Sequence, residues 1–162
     1  PKETISILKR CKELRLSIIN KMKNINSNFK LDSISIEDLE KYKLSNSEFN
    51  LINGTIKNRN FLHLAKHELS NNSFNKNKIG DLLNHHHNIL RDTLEISTPK
   101  IEKLINASLN AGALGAKING SGGGGCMIAY APENPEKVLE AINMNGGKGY
   151  IVKSDIGTIQ EN

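Results

Sequence analysis

The feature that most constrains this chain is a run of five glycines within the six positions 120 to 125, flanked by short apolar segments. Ordering a glycine costs more backbone entropy than ordering any other residue, and a two-residue turn would join two strands with less chain. Glycine also reaches positive φ and lets a ligand approach the backbone, so that successive amides can surround an anion. The run therefore predicts an anion-binding loop between two strands, with a flexible hairpin tip as the alternative.

The predicted loop matches neither of the two common nucleotide-binding motifs. No Gly-Lys-Ser/Thr sequence ends it, as a P-loop requires, and a strand follows it where a dinucleotide-binding turn would lead into a helix. Its residues are Gly120, Ser121, Gly122, Gly123, Gly124 and Gly125.

The spacing of apolar residues changes once along the chain, from a helical period to a strand period. Steps of three and four residues predict helices over 5–24, 47–69 and 78–95, a short helix from Ser35, and a helix from Pro99 to about Gly112. Beyond them we expect strands at 114–119, 126–131 and 150–152, with a helix from Pro135 before the last strand. The predicted fold class is α+β, with helices packed on a small antiparallel sheet and the order β-β-α-β at the C-terminal end.

Length and composition favour one ordinary folded domain over residues 1–162, helical over 1–112 and sheet-forming over 113–158. The N-terminus has neither an initiator Met nor a signal-peptide core, which predicts an internal cut through a longer chain. No apolar run reaches the roughly 20 residues of a membrane helix. Only two cysteines occur, so we expect no disulfide framework and a reducing, cytoplasmic location. The net charge of +5 comes from interspersed charges and does not favour nucleic-acid binding.

Two segments around the glycine run resemble the GHMP kinases, the superfamily that includes galactokinases and mevalonate kinases. Residues 112–130 are similar to the C-terminal glycine motif of that superfamily. Residues 86–99 are similar to a galactokinase segment that has a His, then Leu-Arg-Asp, then Val-Ser before a helix. The Gly-Ala-Lys at 115–117 and the Gly-Gly-Gly-Gly-Cys at 122–126 are nearer to the mevalonate kinase pattern.

The resemblance implies the ferredoxin-like C-terminal domain of a kinase that transfers a phosphoryl group from ATP to an alcohol of a small metabolite. In this superfamily the C-terminal glycine loop approaches the phosphates and the acceptor, while an N-terminal domain binds most of the ATP and Mg²⁺. We therefore expect no catalytic residue in this chain, an N-terminal kinase domain as its partner, and no activity of the chain alone.

The acceptor stays open at this point. A galactokinase-like sugar kinase is expected first and a mevalonate kinase second, although Gly124 stands near the place where galactokinases usually have an aromatic residue. A hypothesis of another class is a non-enzymatic ligand-binding or regulatory module, because small sheets of this type also serve that purpose. Self-association into a homo-oligomer is left open.

Four further residues are candidates to position the substrate or its phosphate, namely His86, Arg91, Asp92 and Lys117. The alternative for the histidine is an ordinary helix surface, and the alternative for the Arg-Asp pair is an exposed ion pair worth under about 1 kcal/mol. No metal site is predicted. Consecutive histidines at 85–87 point about 100° apart on a helix, and His63 and His67 lack a third ligand.

Overall fold

The computed structural model describes residues 2–153 and residue 157, without the side chains of residues 2–5 and of Leu8. It contains five α-helices, two β-strands and a short 3₁₀ helix at Glu37–Tyr42 within this range. The elements are α1 (Lys2–Ile25), α2 (Asn46–Leu69), α3 (Lys76–Asp92), α4 (Pro99–Asn110), β1 (Gly115–Asn119), β2 (Cys126–Tyr130) and α5 (Pro135–Met144). Helices with a small antiparallel sheet confirm the predicted fold class, and none of the described helices is long and apolar enough to cross a membrane.

Local hydrogen bonds explain where the helices next to the sheet begin and end. The Thr98 hydroxyl accepts from the amide of Ile101 at 3.3 Å, and Pro99 occupies the first turn of α4, as the sequence predicts. Helix α3 ends at Asp92 instead of residue 95. Beyond it Glu95 has a φ of 51°, which no continuing α-helix allows.

The sheet has two antiparallel strands in the described part of the chain, with Gly115 opposite Tyr130 and Asn119 opposite Cys126. The prediction of a third strand at 150–152 is wrong, because these residues form no strand and the side chains of Tyr150 and Val152 are 70% and 84% exposed. Aromatic and β-branched residues favour strands only where they can pair with a neighbouring strand and pack one face against the rest of the protein. Residues 154–156 and 158, part of the predicted sheet-forming segment, lie outside the described residues.

Helix α3 takes the place of a further strand along the other edge of β1. The side-chain amide of Asn84 donates to the carbonyl of Leu114 at 3.1 Å, and its oxygen accepts from the amide of Ala116 at 3.0 Å. Backbone meets backbone one turn earlier, where a Cβ added to Gly80 would lie 2.4 Å from the Leu114 oxygen. A Cβ on Gly115 would lie 2.2 Å from the Gly80 oxygen. The helix therefore lies closer to the strand than any residue with a side chain would permit.

The buried apolar residues that the structure describes form three clusters, of which one lies beneath the glycine loop. That cluster joins α1, α3, α4 and β1, and consists of Cys11, Leu90, Leu94, Ile96, Ile101, Ile105, Ala116 and Ile118. A second cluster packs α1 and α2 around the 3₁₀ helix, and a third packs α5 on the sheet through Val138. The strand that leads into the loop and the turn beneath the loop therefore both belong to the first cluster.

We predict that Gly80→Ala lowers the free energy of unfolding by about 3 kcal/mol, the upper part of the range for overpacking. Alanine is the better helix former, so a net loss would report the steric contact with β1 and not helix propensity. The matched control is Asn88→Ala, at an exposed position of the same helix, where we expect a change within about 0.5 kcal/mol. Urea unfolding followed by circular dichroism measures both, and equal stabilities of the two variants would contradict the prediction.

Candidate functional site

The glycine loop between β1 and β2 adopts a backbone conformation that requires glycine. Positive φ angles occur at Gly120 (92°), Gly122 (78°), Gly123 (69°), Gly124 (120°) and Gly125 (80°). A residue with a side chain held at such angles costs about 1–3 kcal/mol. The expectation that these glycines reach positive φ is confirmed, and it explains why the chain places glycine at each of these positions.

The middle of the loop is anchored on Ile96, a buried residue between α3 and α4. The amide of Gly123 donates to the Ile96 carbonyl at 2.7 Å. A Cβ added to Gly122 would lie 2.6 Å from both the carbonyl oxygen and the Cβ of Ile96. The loop is therefore held at both ends by the strand pair and at its centre by this contact.

Other amides of the loop are left available. Among the described residues, the amides of Ser121, Gly122 and Gly124 donate to no acceptor. A Cβ at Gly120, Gly124 or Gly125 would meet no described atom within 4 Å, so the loop is open at these three positions. Backbone donors beside open space, with no side chain in the way, can bind an anion such as a phosphate.

Beneath the anchor, the carboxylate of Glu102 joins three polar side chains. Glu102 Oε1 lies 2.9 Å from His87 Nε2 and also accepts from the Ser97 hydroxyl, while its Oε2 lies 3.6 Å from Arg91 Nη1. His87 is only 2% exposed, and its Nδ1 has no hydrogen-bond partner among the described residues. An ionised carboxylate only accepts, so the His87 proton lies on Nε2.

Arg91 and Asp92 pair with each other at the surface. Arg91 Nε lies 2.7 Å from Asp92 Oδ1, and Arg91 Nη2 lies 2.9 Å from Asp92 Oδ2. The hydrogen bond from Arg91 holds the pKa of Asp92 below its ordinary value. Both residues are exposed, so the geometry is that of an exposed ion pair, and a role in positioning phosphate stays a prediction.

His86 and Lys117 are brought together where α3 packs on β1. Both are half-buried, and burial lowers the pKa of each. The positive charge of Lys117 lowers the pKa of His86 further, which places the two side chains in one electrostatic neighbourhood. Lys117 Nζ donates to the Ile118 carbonyl at 2.6 Å. An ammonium group has three donors, so others remain for a ligand.

The other histidines lie away from this arrangement. His85 stacks on Phe61 with ring centroids 5.6 Å apart, and His63 and His67 are exposed on α2. The described residues contain no group of three or more His, Cys, Asp or Glu placed to hold a metal ion.

Three residues of this region were not predicted from the sequence to be site residues. Ile96 acts through its backbone carbonyl, which no side-chain motif records. Glu102 carried only the signal of an acid in the first turn of a helix. Asn84 lies in a helix and bonds a strand 30 residues or more further on, a contact for which the sequence has no local signal.

We predict that Lys117→Met leaves the free energy of unfolding at neutral pH equal or raises it, because methionine fills the space without a charge to desolvate. The depressed pKa also sets a pH dependence. Between the folded-state pKa and the ordinary value of 10.5 the unfolded state binds more protons, so the wild type gains stability relative to the variant as pH rises.

Urea unfolding at neutral and alkaline pH measures this difference. Lys103→Met, at an exposed position of α4, is the control for removal of a positive charge. A Lys117→Met variant that follows the same pH dependence as this control would contradict the prediction.

Comparison with known proteins identifies the family. A family model described as "GHMP kinases C terminal" matches residues 65–148, more than half of the chain. A mevalonate kinase of Thermococcus onnurineus is 51% identical over 81 residues, which cover 49% of this chain and 24% of that protein. A mevalonate kinase of Pyrococcus abyssi is 46% identical over 76 residues, covering 47% of this chain and 22% of that protein. A galactokinase of Mannheimia succiniciproducens is 36% identical over 81 residues, covering 48% and 21%.

The matched segment thus spans about a quarter of the length of these relatives. Among solved structures, Lactococcus lactis galactokinase complexed with galactose superposes with a TM-score of 0.75 and 23% identity. The superposition covers 86% of this chain and 37% of that one, and at this identity it shows a common fold alone. Because the family match extends over α3, the glycine loop and α5, this chain belongs to the GHMP kinases and carries their C-terminal domain.

Proposed function

We propose that this chain works as part of an ATP-dependent kinase that phosphorylates an alcohol group of a small metabolite, with mevalonate as the acceptor. The observation that carries the choice of acceptor is sequence identity, which is 51% with a mevalonate kinase and 36% with a galactokinase over segments of 81 residues each. This reverses the order expected from the sequence, where galactokinase stood first.

Galactose is the second candidate acceptor. The Leu-Arg-Asp at 90–92 and the Ile-Ser at 96–97 are the residues that resemble galactokinases, and they lie next to the anchor of the glycine loop. The likeness to a galactokinase structure supports the fold but not the substrate, since the identity is 23%.

The glycine loop would contribute hydrogen bonds to the phosphates. Phosphoryl transfer depends mostly on positioning and on stabilising charge on the transferred group, and fixed backbone donors supply both. The free amides of Ser121, Gly122 and Gly124 are such donors. Lys117 is the candidate for a cationic contact, and His86, Arg91 and Asp92 are candidates for positioning the substrate.

ATP and Mg²⁺ fit this chain unequally. Phosphate groups fit the glycine loop, where three amides lack acceptors and a Cβ at Gly120, Gly124 or Gly125 would meet no described atom. The described residues contain no cluster of acids for Mg²⁺, which in this chemistry neutralises charge on the phosphates. We therefore expect a preceding nucleotide-binding domain to hold the metal and most of the ATP, and to supply the catalytic acid.

The test uses the complete polypeptide that contains this chain. Purified protein with Mg-ATP is given mevalonate or galactose separately, ADP release is followed by a coupled assay, and the product is identified by mass spectrometry. We expect ADP release and a phosphorylated product with mevalonate. Turnover with galactose alone would make the sugar the acceptor, and turnover with neither would favour a non-enzymatic ligand-binding module.

We predict that Gly124→Val lowers kcat/KM for ATP by about tenfold or more, because the side chain occupies the open side of the loop and displaces amide donors. The cost in stability is limited to the strain of one unfavourable φ, about 1–3 kcal/mol. Gly146→Val is the matched control, since Gly146 also has a positive φ (82°) and no atom within 4 Å of an added Cβ, but lies after α5.

Steady-state kinetics and urea unfolding of both variants measure the two effects. The proposal would be supported if both variants lost similar stability and only Gly124→Val lost activity. Wild-type kinetics in Gly124→Val would show that the loop is only a connection between strands.

A further inference from the structure

We propose that Glu102 is a positioning residue for the glycine loop. Its carboxylate holds the turn between α3 and α4, so that the Ile96 carbonyl points at the amide of Gly123 and fixes the centre of the loop. The inference rests on the proposed function only for the consequence that a misplaced loop slows phosphoryl transfer.

The turn between α3 and α4 needs to be held. Glu95 has a φ of 51°, a left-handed conformation that costs a residue with a side chain about 1–2 kcal/mol. One restraint is local, because the amide of Ile96 donates back to the Leu90 carbonyl at 3.1 Å. Among the described residues the Glu95 side chain pairs with Arg10 at 3.5 Å, and the two side chains are 71% and 48% exposed, so this pair adds little.

Glu102 supplies the stronger restraint, because one carboxylate ties three elements together. Its Oε1 binds His87 of α3 and Ser97 of the turn, while Glu102 itself lies in the first turn of α4. Hydrogen bonds to an ionised acceptor are roughly twice as strong as neutral ones. His87 bonds to no other side chain among the described residues, and the ring is 2% exposed, so removing Glu102 leaves a buried polar ring unpaired.

The restraint passes from Ser97 to the loop through a single peptide group. The carbonyl of Ile96 and the amide of Ser97 belong to one planar peptide group, so a restraint on Ser97 limits how far the Ile96 carbonyl can move. That carbonyl accepts the Gly123 amide at 2.7 Å, and the Ile96 side chain touches the space at Gly122. A carboxylate outside the loop thereby sets which loop amides remain free.

A purely structural role of an acid at a helix N-terminus is the alternative, and the chain offers a control for it. Glu136 occupies the first turn of α5 as Glu102 occupies the first turn of α4, so both gain from the helix dipole. Glu136 is exposed and has no ion pair among the described residues. Removing it changes the dipole interaction without touching the turn or the loop.

The experiment compares Glu102→Ala, Glu102→Gln, Ser97→Ala and Glu136→Ala in the complete polypeptide by hydrogen–deuterium exchange and mass spectrometry. The peptide at 120–126 reports the loop, and a peptide within α5 reports global stability. We expect the amide of Gly123, which the bond to Ile96 protects within this peptide, to exchange about fivefold faster in Glu102→Ala, the effect of losing one hydrogen bond of average net strength. Glu102→Gln should show a smaller rise, because its amide oxygen can still accept from Ser97.

Ser97→Ala is expected to raise loop exchange while α5 keeps wild-type exchange, and Glu136→Ala to leave loop exchange unchanged. Wild-type exchange of the loop in folded Glu102→Ala would overturn the proposal, as would an equal rise in Glu136→Ala. If Glu102→Ala unfolds, Ser97→Ala decides, and wild-type loop exchange in that variant would overturn the proposal.

Kinetics separate this inference from the proposed function. With Mg-ATP and mevalonate, we expect kcat to fall in Glu102→Ala and Ser97→Ala while KM for mevalonate stays near the wild-type value. A wild-type protein without turnover would refute the proposed function, yet the exchange experiment would still decide whether Glu102 positions the loop.

Discussion

The close contact between α3 and β1 is the interaction on which the candidate site depends. Two glycines let the helix backbone touch the strand backbone, and Asn84 binds the amide of Ala116 in β1 and the carbonyl of Leu114 just before β1. A backbone amide or carbonyl that is unpaired and shielded from water costs free energy comparable to a lost hydrogen bond. The contact therefore satisfies the backbone groups at the edge of the strand and also holds the helix in place. Strand β1 leads directly into the glycine loop, and α3 ends at Asp92. The contact between α3 and β1 therefore places the C-terminal end of the helix close to the loop.

This arrangement makes the loop a restrained structure in spite of its composition. Glycine lowers the cost of positive φ, but it also leaves the unfolded chain with more conformations to lose. The strand pair fixes the two ends of the loop, and the bond from Gly123 to Ile96 fixes its middle. Donors that are fixed before a ligand arrives need no reorganisation when charge develops, which is the advantage of such a loop for phosphoryl transfer.

The sequence predicted those parts of the structure whose cause lies in local pattern. Apolar spacing located the helices, Pro99 and its preceding hydroxyl located the start of α4, and glycine density located the loop. The prediction of a third strand was wrong because the residues at 150–152 have strand propensity but pair with no strand in the described part of the chain, and propensity alone does not make a strand. Among the three adjacent histidines the sequence favoured His86 or His87, with His86 as the site candidate, and the buried member of the run is His87. The anchoring roles of Asn84, Ile96 and Glu102 depend on contacts distant in sequence, which no local pattern encodes.

The candidate site residues predicted from the sequence differ in how their charges are paired in the structure. The positive charge of Arg91 faces two carboxylates, those of Asp92 and Glu102, so its attraction for an added phosphate is largely offset. Lys117 donates to a carbonyl, which carries no net charge, and burial has already removed part of its hydration. A cation that is already partly desolvated and has no acidic partner gains more binding free energy from a nearby phosphate than a cation that is paired with a carboxylate. Lys117 and the loop amides therefore form the stronger candidate for anion recognition, while Arg91 and Asp92 are better suited to supporting the turn that anchors the loop.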